Sequence, residues 1–498
     1  MENILINVFY LVAFVVTLKF LFFRKRLKNP PPSIPSFPLI GNLHLLKHPI
    51  HRTLHALSQK YGPIFTLRFG YQPVLVVSSA AAAEECFTKN DIIFANRFHS
   101  TKTKYLAFNN TVITVSSYGD HWRNLRRISS LEILSNHRLN SFLGIRNDET
   151  LKLLRKLARV SGKDAGFTRV ELRPMFAELT FNIVMRMVCG KRYYGEEELD
   201  GTNAEEAKKF RDVMDELSQF GLGSNLGDFV PIFRLFNFSG HKKLRKFGEK
   251  LDALFQGLID EHRSKKESSD TMIDHLLSSQ QSQPEYYTDQ IIKGLIMALI
   301  VAGTETSAAA IEWGMSHLVN NPEVLEKARI ELDTHVGEVR LVEEMDVTKL
   351  QYLQNIVSET LRLTPPVPML IPHLSSEHCT VGGYDVPRNT VLMVNAWAIH
   401  RDPELWANPT SFKPERFENG PVNGRQLIPF GMGRRACPGA AMAQRTLGLT
   451  LSSLIQCFEW KRIGEEKVDL SEGRGSIVRK AIPLEVQCKA RPIISKDF

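Results

Sequence analysis

The segment IIKGLIMALIVAGTETSAAAIEWGMSHLV, Ile291 to Val319, is apolar on nearly every face. A helix with no polar stripe must be surrounded by protein or by lipid, so any fold of this chain has to be built around it. Its middle separates the two. Gly303-Thr304-Glu305-Thr306-Ser307 places an acid among hydroxyls there, and a carboxylate is costly in hydrocarbon. A second membrane span is therefore the weaker reading, and a buried central helix is expected. Inside a cavity the cluster has a use. A hydroxyl beside a carboxylate can hand protons inward from water, and Gly303 would let something flat approach the backbone. The plainer alternative is small residues for helix–helix packing.

The N-terminus carries a different apolar run. ILINVFYLVAFVVTLKFLFF, Ile4 to Phe23, is interrupted only by Asn7, Thr17 and Lys19. About 20 helical residues at ~1.5 Å each span a hydrocarbon core of ~30 Å. Arg24, Lys25, Arg26 and Lys28 follow, while the other flank has only Glu2, which puts the C-terminal side in the cytoplasm. Asn29 to Pro38, NPPPSIPSFP, favours extended geometry and reads as a stiff spacer. The expected organisation is an anchor over 1–23, a basic and proline-rich hinge over 24–38, and one large domain over 39–498.

The chain as a whole has ordinary globular composition, with 43% apolar and 23% charged residues. Its net charge of +9 suits an anionic membrane surface or an acidic protein partner and is too diffuse to argue for nucleic acid. The six cysteines lie far apart without a CxxC pair, which excludes a disulfide framework and fits no zinc site. Ile64 to Val77 reads as a β-hairpin turning at Gly70 to Pro73. Arg138 to Leu157, Ala204 to Phe220 and His241 to Arg263 carry helical periodicity. The class expected is mainly α with small β-sheets.

Four further stretches carry chemistry. LQYLQNIVSETLRLT is an amphipathic helix stopped by Pro365-Pro366, with Glu359 and Arg362 at i, i+3. Pro414-Glu415-Arg416-Phe417 offers a second arginine to the same glutamate. In HWRNLRR, Trp122 and Arg126 share one helix face and could grip an anion, while Arg123 and Arg127 share a neighbouring one. PFGMGRRACPG sets Cys437 on a glycine-rich turn, beside fixed positive charge, at the start of a small-residue helix. Each alone has a bland reading: a surface ion pair, a basic surface helix, an inert buried thiol.

Together and in this order, AGTETS, ETLR, PERF and FGMGRRACPG resemble the four signature motifs of the cytochrome P450 family, and WRNLR resembles its Trp-x-x-x-Arg pattern. The resemblance covers essentially the whole chain, and the anchor with its proline hinge resembles the microsomal members. It implies the P450 fold, one haem domain behind a transmembrane helix, and haem b with Cys437 as the axial iron ligand. A thiolate in that role pushes electron density toward O–O cleavage, and a helix N-terminus with nearby cations should lower the thiol pKa. By the same resemblance Arg435 pairs with a haem propionate, with Trp122, Arg126 and His373 beside it. Phe430 shields the sulfur and Gly439 lets the backbone lie close. Ala302, Gly303, Glu305 and Thr306 face the haem, with Thr306 and Glu305 catalytic in oxygen activation. Glu359, Arg362 and Arg416 form a buried structural triad.

Gly221 to Gly227 fails the GxGxxG spacing, so electrons are expected from another protein. The resemblance implies an NADPH-dependent reductase of the endoplasmic reticulum, with cytochrome b5 as a second donor, docking on a basic face near Arg123, Arg127 and Arg434. It implies O2 as cosubstrate and a single-pass protein with its catalytic domain in the cytoplasm. The substrate-contact candidates are Phe98, Leu106, Phe108, Val112, Phe220, Leu222, Ala298, Val367, Met369, Leu370, Ile477 and Val478. They are apolar, which suits a neutral hydrophobic molecule. The wording of the C-terminal half is similar to the plant group containing isoflavone 2′-hydroxylases and sesamin synthases. That implies hydroxylation or methylenedioxy-bridge closure on a phenylpropanoid, flavonoid or lignan. Alternatives are a terpenoid or alkaloid substrate, a reductase-independent haem-thiolate isomerase or dehydratase, and a non-catalytic membrane-tethered haem protein.

Overall fold

The computed structural model describes residues 27–494 apart from 162–165, 196–200, 221–224, 235–237, 266–269 and 419–423. The expected anchor and Leu222 lie outside the described residues. The proline-rich segment does not stand off from the domain. Asn29 exchanges backbone and carboxylate bonds with Asp385, and Pro32 O accepts the Thr66 N–H at 2.8 Å. Ile34 is buried beneath it.

Among the described residues nine strands form three small sheets. In the largest, β1 (Ile64–Phe69) and β2 (Gln72–Val77) make the expected hairpin, with Ile64 opposite Val77. The other two sheets join β3 (Thr168–Glu171), β8 (Phe458–Lys461) and β9 (Glu485–Ala490), and β5 (Cys379–Val381) with β6 (Tyr384–Val386). Strand β7 (Val391–Val394) runs parallel to β2, and β4 (His373–Leu374) closes the first sheet antiparallel to β7. Leu374 N–H also donates to Asn96 O at 2.9 Å, which sets Ala95 to Arg97 alongside His373.

Helices make up the rest, and those that build the site are α1 (Asp120–Arg127), α2 (Arg173–Cys189), α3 (Asp289–Gly303), α4 (Glu305–Asn320), α5 (Gln351–Leu363) and α6 (Ala440–Cys457). The expected central helix is α3 and α4, interrupted at Thr304. The hydroxyls explain the interruption. Thr304 Oγ1 donates to Ile300 O at 2.8 Å and Thr306 Oγ1 to Ala302 O at 2.6 Å, competing with the helical ladder where it bends. Asp289–Asn320 is long and apolar enough to cross a membrane, yet it sits in the core. Ile292, Leu295, Ile296 and Ile300 are buried along α3, as are Ile311, Trp313, Met315 and Leu318 along α4. Each such side chain contributes about 1.5–3 kcal/mol by leaving water. A Cβ at Gly314 would stand 3.1 Å from Leu451 on α6, so the absent side chain sets how closely those helices pack.

Two buried histidines give the fold an acid-sensitive window. His317 stacks on Phe412 at 4.8 Å and bonds Thr364. His400 accepts the Ile428 N–H at 2.9 Å. Burial first, then neighbouring arginines, push each down to about 3. Both are neutral when folded and titrate near 6.5 when unfolded, so unfolding takes up protons below that value. Stability is therefore full above about pH 6.5 and falls as pH drops toward about 3, by up to ~1.4 kcal/mol per pH unit per histidine. Urea midpoints measured from pH 7.5 to 5.0 should decline, and a flat profile would refute the buried neutral state.

Candidate functional site

Cys437 lies between a single 3-10 turn, Gly433–Arg435, and the start of α6, where Gly439 is the N-cap. The turn needs its glycines. Gly431 and Gly433 have φ of 70° and 68°, and a Cβ at Gly433 would fall 2.5 Å from Phe87 O and 2.6 Å from Asp91 Oδ1. Three bonds hold the loop near the sulfur. Cys437 N–H donates to Phe430 O at 2.8 Å, Ala436 N–H to Gly433 O at 3.0 Å, and Arg126 Nη1 to Ala436 O at 2.5 Å. Phe430 itself is half-buried against the core.

Of the six cysteines, Cys437 alone is exposed. Its thiol is nevertheless pushed up, chiefly by burial, with the Gly439 N–H and Arg126 acting in the opposite direction. A sulfur both reachable and surrounded by protein faces an internal space. The expected lowering by the helix terminus is thus outweighed by desolvation in the protein alone, because Pro438 supplies no N–H and only one amide points at the sulfur.

Three arginines converge beside this loop. Arg435 donates to Ala95 O, Ile113 O and Ser116 O at 2.8, 3.1 and 2.6 Å. Arg97, 6% exposed, donates to Thr114 O at 3.2 Å, Ile371 O at 2.6 Å and Pro372 O at 2.9 Å. Burial depresses Arg97, Arg126 and Arg435, the last to about 9, and the Arg97–Arg435 and Arg126–Arg435 repulsions add to it. Among the described residues none of the three bonds a carboxylate, and buried cations left so are costly. His373 sits against Arg97 and Arg435, is held neutral by burial, and donates from Nδ1 to Phe94 O at 2.7 Å. Trp122 lies with them. Its indole N–H donates to Ile113 O at 3.2 Å, and its ring lies 4.2 Å beneath the Arg435 guanidinium, a platform for that cation. Arg97 was missed. Its only signal was a lone arginine in the apolar stretch IIFANRF, and a single charge in a short segment does not reveal its neighbours.

On the central helix, Ala302 is exposed although Ile296 and Ile300 are buried, so it opens onto an internal space. A Cβ at Gly303 would meet Val184 of α2 at 3.3 Å, so the missing side chain also lets the two helices pack closely there. Glu305 forms an ion pair with Arg479, from the loop that carries Ile477 and Val478. Thr306 is half-buried.

Glu359 and Arg362 have no accessible side-chain surface and meet fork to fork at 2.7 and 2.8 Å. Arg416 Nε adds a bond to Glu359 at 3.0 Å, and the Lys413 N–H another at 2.8 Å. Arg362 also donates to His400 O at 2.6 Å, and His400 Nε2 accepts from Ile428, two residues before Phe430. The triad thus reaches the cysteine loop through a histidine that no motif pointed to.

The substrate-contact candidates divide. Leu106, Val112 and Val478 are 5%, 1% and 4% exposed and belong to packed clusters, so in this conformation they are core. Phe98 stacks on Phe229 at 5.4 Å and Phe220 packs on Phe247 at 4.9 Å. Phe108, Ala298, Val367, Met369, Leu370 and Ile477 keep accessible surface. On the expected basic face Arg123 and Arg127 are exposed and Arg434 is half-buried, and each has an acidic neighbour, Asp120, Glu132 and Asp91 respectively.

A reachable sulfur at a helix start, beside one buried and two half-buried arginines that bond no carboxylate among the described residues, fits an iron porphyrin, whose metal takes thiolate and whose carboxylates take the arginines. The fold and site define a haem-thiolate protein. The cytochrome P450 family model matches residues 30–488, and the chain belongs to that family of haem-dependent oxygenases. It is 58% identical to cytochrome P450 81E8 of Medicago truncatula, over 98% of this chain and 97% of that one. It is 53% identical to an isoflavone 2′-hydroxylase of Glycyrrhiza echinata, over 99% and 98% of the two chains. Identity to a (+)-piperitol/(+)-sesamin synthase of Sesamum radiatum is 55%, over 94% and 92%.

Proposed function

We propose that this chain is a reductase-dependent monooxygenase that hydroxylates, or oxidatively ring-closes, a neutral phenylpropanoid, flavonoid or lignan. The observation that carries the reading is the exposed Cys437 sulfur inside the protein, beside Arg97, Arg126 and Arg435, which bond no carboxylate among the described residues. The substrate class is supported by the relatives' printed activities and by the apolar character of Phe108, Ala298, Val367 and Ile477.

Bound haem supplies dioxygen activation and attack on an unreactive C–H bond. The chain's own residues hold and feed it. Cys437 would ligate the iron, and Arg97, Arg126 and Arg435, with His373 beside them, would hold the carboxylates. Ala302 leaves room on the central helix. The Thr306 hydroxyl, parked on Ala302 O, can turn its proton into the cavity, and partly exposed Glu305 can renew it from water. In hydroxylation, two electrons and two protons enter, one oxygen atom goes to substrate and the other leaves as water. The electrons come from an NADPH-dependent reductase, with cytochrome b5 as a second donor. Ile4 to Phe23 would anchor the protein in the endoplasmic reticulum membrane with the catalytic domain cytoplasmic.

The test is coexpression with a plant reductase in yeast and feeding of isoflavones and lignans. Products that gain one oxygen from labelled O2, or lose two hydrogens with ring closure, are expected only with NADPH. Turnover in anaerobic, reductase-free buffer would point to the isomerase reading. Thr306→Val should lower product per NADPH by about 10–100-fold while NADPH consumption continues and peroxide accumulates. Unchanged coupling would remove Thr306 from the proton path.

A further inference from the structure

Arg434, placed by the sequence on a basic face, is engaged by the segment before it in the fold. Asp91 accepts the Arg434 backbone N–H at 3.2 and 3.4 Å through its two oxygens, and its Oδ2 accepts the side-chain Nε at 2.8 Å. Arg434 Nη1 continues to Tyr118 OH at 2.8 Å, with the guanidinium 5.0 Å from that ring. The Asp91 carboxylate occupies the space that a side chain at Gly433 would fill, since Oδ1 lies 2.6 Å from where its Cβ would be. Asp91 is therefore seated in the turn and not merely near it.

The residue is also held from behind. It follows the helix Ala80–Phe87, whose Ala80, Ala83, Cys86 and Phe87 belong to a buried cluster with β5, β6 and β7. The Asn90 side chain donates to Thr380 O at 2.8 Å, and Asp91 N–H donates to Thr88 O at 3.3 Å. The carboxylate thus stands on a rigid platform, with its side chain only 17% exposed.

We infer that Asp91 is a positioning residue for the metal ligand. It clamps the Gly433–Arg435 turn, so that Ala436 and Cys437 leave it in the direction that presents the sulfur. The inference rests on Cys437 being the haem ligand. It concerns geometry: the groups that act on the sulfur are the Gly439 N–H and Arg126, and Asp91 is not among them. Without the clamp, the turn loses its bonds at the Arg434 N–H and Nε and is left with the Ala436–Gly433 and Cys437–Phe430 backbone bonds, the Arg434–Tyr118 bond and the grips on Ala436 O and Arg435. The sulfur could then drift from the iron while the remainder of the fold stays intact.

The experiment follows the reduced carbon monoxide complex of the haem-loaded protein at a fixed temperature below unfolding, with circular dichroism unchanged. The readout is the rate at which thiolate-type Soret absorption is lost. Asp91→Asn should lose it about tenfold faster, the size expected when a charge-assisted hydrogen bond is removed. Arg434→Gln, which keeps the backbone bond, should fall between that variant and the parent, and it carries the test if Asp91→Asn fails to load haem. Asp346→Asn is the control, because Asp346 makes a comparable bidentate pair with Arg340 at 2.6 and 2.9 Å, far along the sequence from the cysteine loop. Its rate should match the parent. Equal rates for Asp91→Asn and the parent, or equal acceleration by Asp91→Asn and Asp346→Asn, would overturn the inference. Absence of the thiolate band in the parent protein would instead sink the assignment of Cys437.

Discussion

Cys437→Ser is expected to abolish the thiolate-type Soret absorption of the reduced carbon monoxide complex and to bring product formation to background. Serine keeps the shape of the side chain, but its hydroxyl is not ionised near neutral pH and cannot donate the electron density that a thiolate gives to iron. The rest of the protein should tolerate the change. Cys437 is the exposed cysteine, and its own loop bonds are made by the backbone N–H to Phe430 O and by Ala436 O to Arg126. The substituted chain should therefore unfold in urea within about 1 kcal/mol of the metal-free parent. The measurement pairs the spectrum with that unfolding curve. A retained thiolate band would mean that another sulfur ligates the iron, yet the other five cysteines are buried.

Arg362→Ala should have the largest effect on stability, about 3–5 kcal/mol. Arg362 has no accessible surface, shares two bonds with Glu359, donates to His400 O and Pro409 O, and lies 5.2 Å over Trp406. Its removal leaves Glu359 buried with Arg416 and the Lys413 N–H as partners. It also frees the carbonyl of His400, the residue that holds Ile428 ahead of the cysteine loop. Haem and fold should fail together, since 3–5 kcal/mol is a large part of an ordinary domain's stability of ~5–15 kcal/mol. Arg362→Lys keeps the charge but loses the fork, and should fall between parent and alanine. Haem content and urea midpoint should decline in step across the three proteins. Normal haem loading in Arg362→Ala would refute the structural role.

The acid window runs parallel to this. His400 connects the triad to the cysteine loop in its neutral form, so protonating it on unfolding weakens the same connection. Glu472, pushed down to about 2 by His51 and Arg52 against its own burial, favours the folded state fully above the ordinary carboxylate range, and that contribution is lost only as pH falls through that range toward about 2. A decline in stability between about pH 6.5 and 4.5 therefore belongs mainly to the histidines.

Several elements were legible in the chain because their causes are local. The turn around Cys437 needs positive φ at Gly431 and Gly433, and only glycine takes that without strain. The apolar pattern from Ile291 to Val319 admits no surface position. The i, i+3 spacing of Glu359 and Arg362 puts both on one helix face. What these groups do once packed was harder to read. The neighbour of Gly303 is Val184, more than a hundred positions earlier. The indole N–H of Trp122 meets Ile113 O. Leu106 and Val112 pack among side chains from distant segments.

The sequence by itself determined the central buried helix, the glycine turn under the sulfur, the ion-pair spacing and the family to which the chain belongs. Only the tertiary structure decided that Arg97, Arg126 and Arg435 gather beside Cys437 without carboxylates, that Asp91 seats itself at Gly433, and that His400 joins triad to loop. The reason is physical. Backbone conformation and helix faces follow from neighbours a few residues apart, whereas desolvation and charge pairing depend on atoms that distant segments bring into the same space.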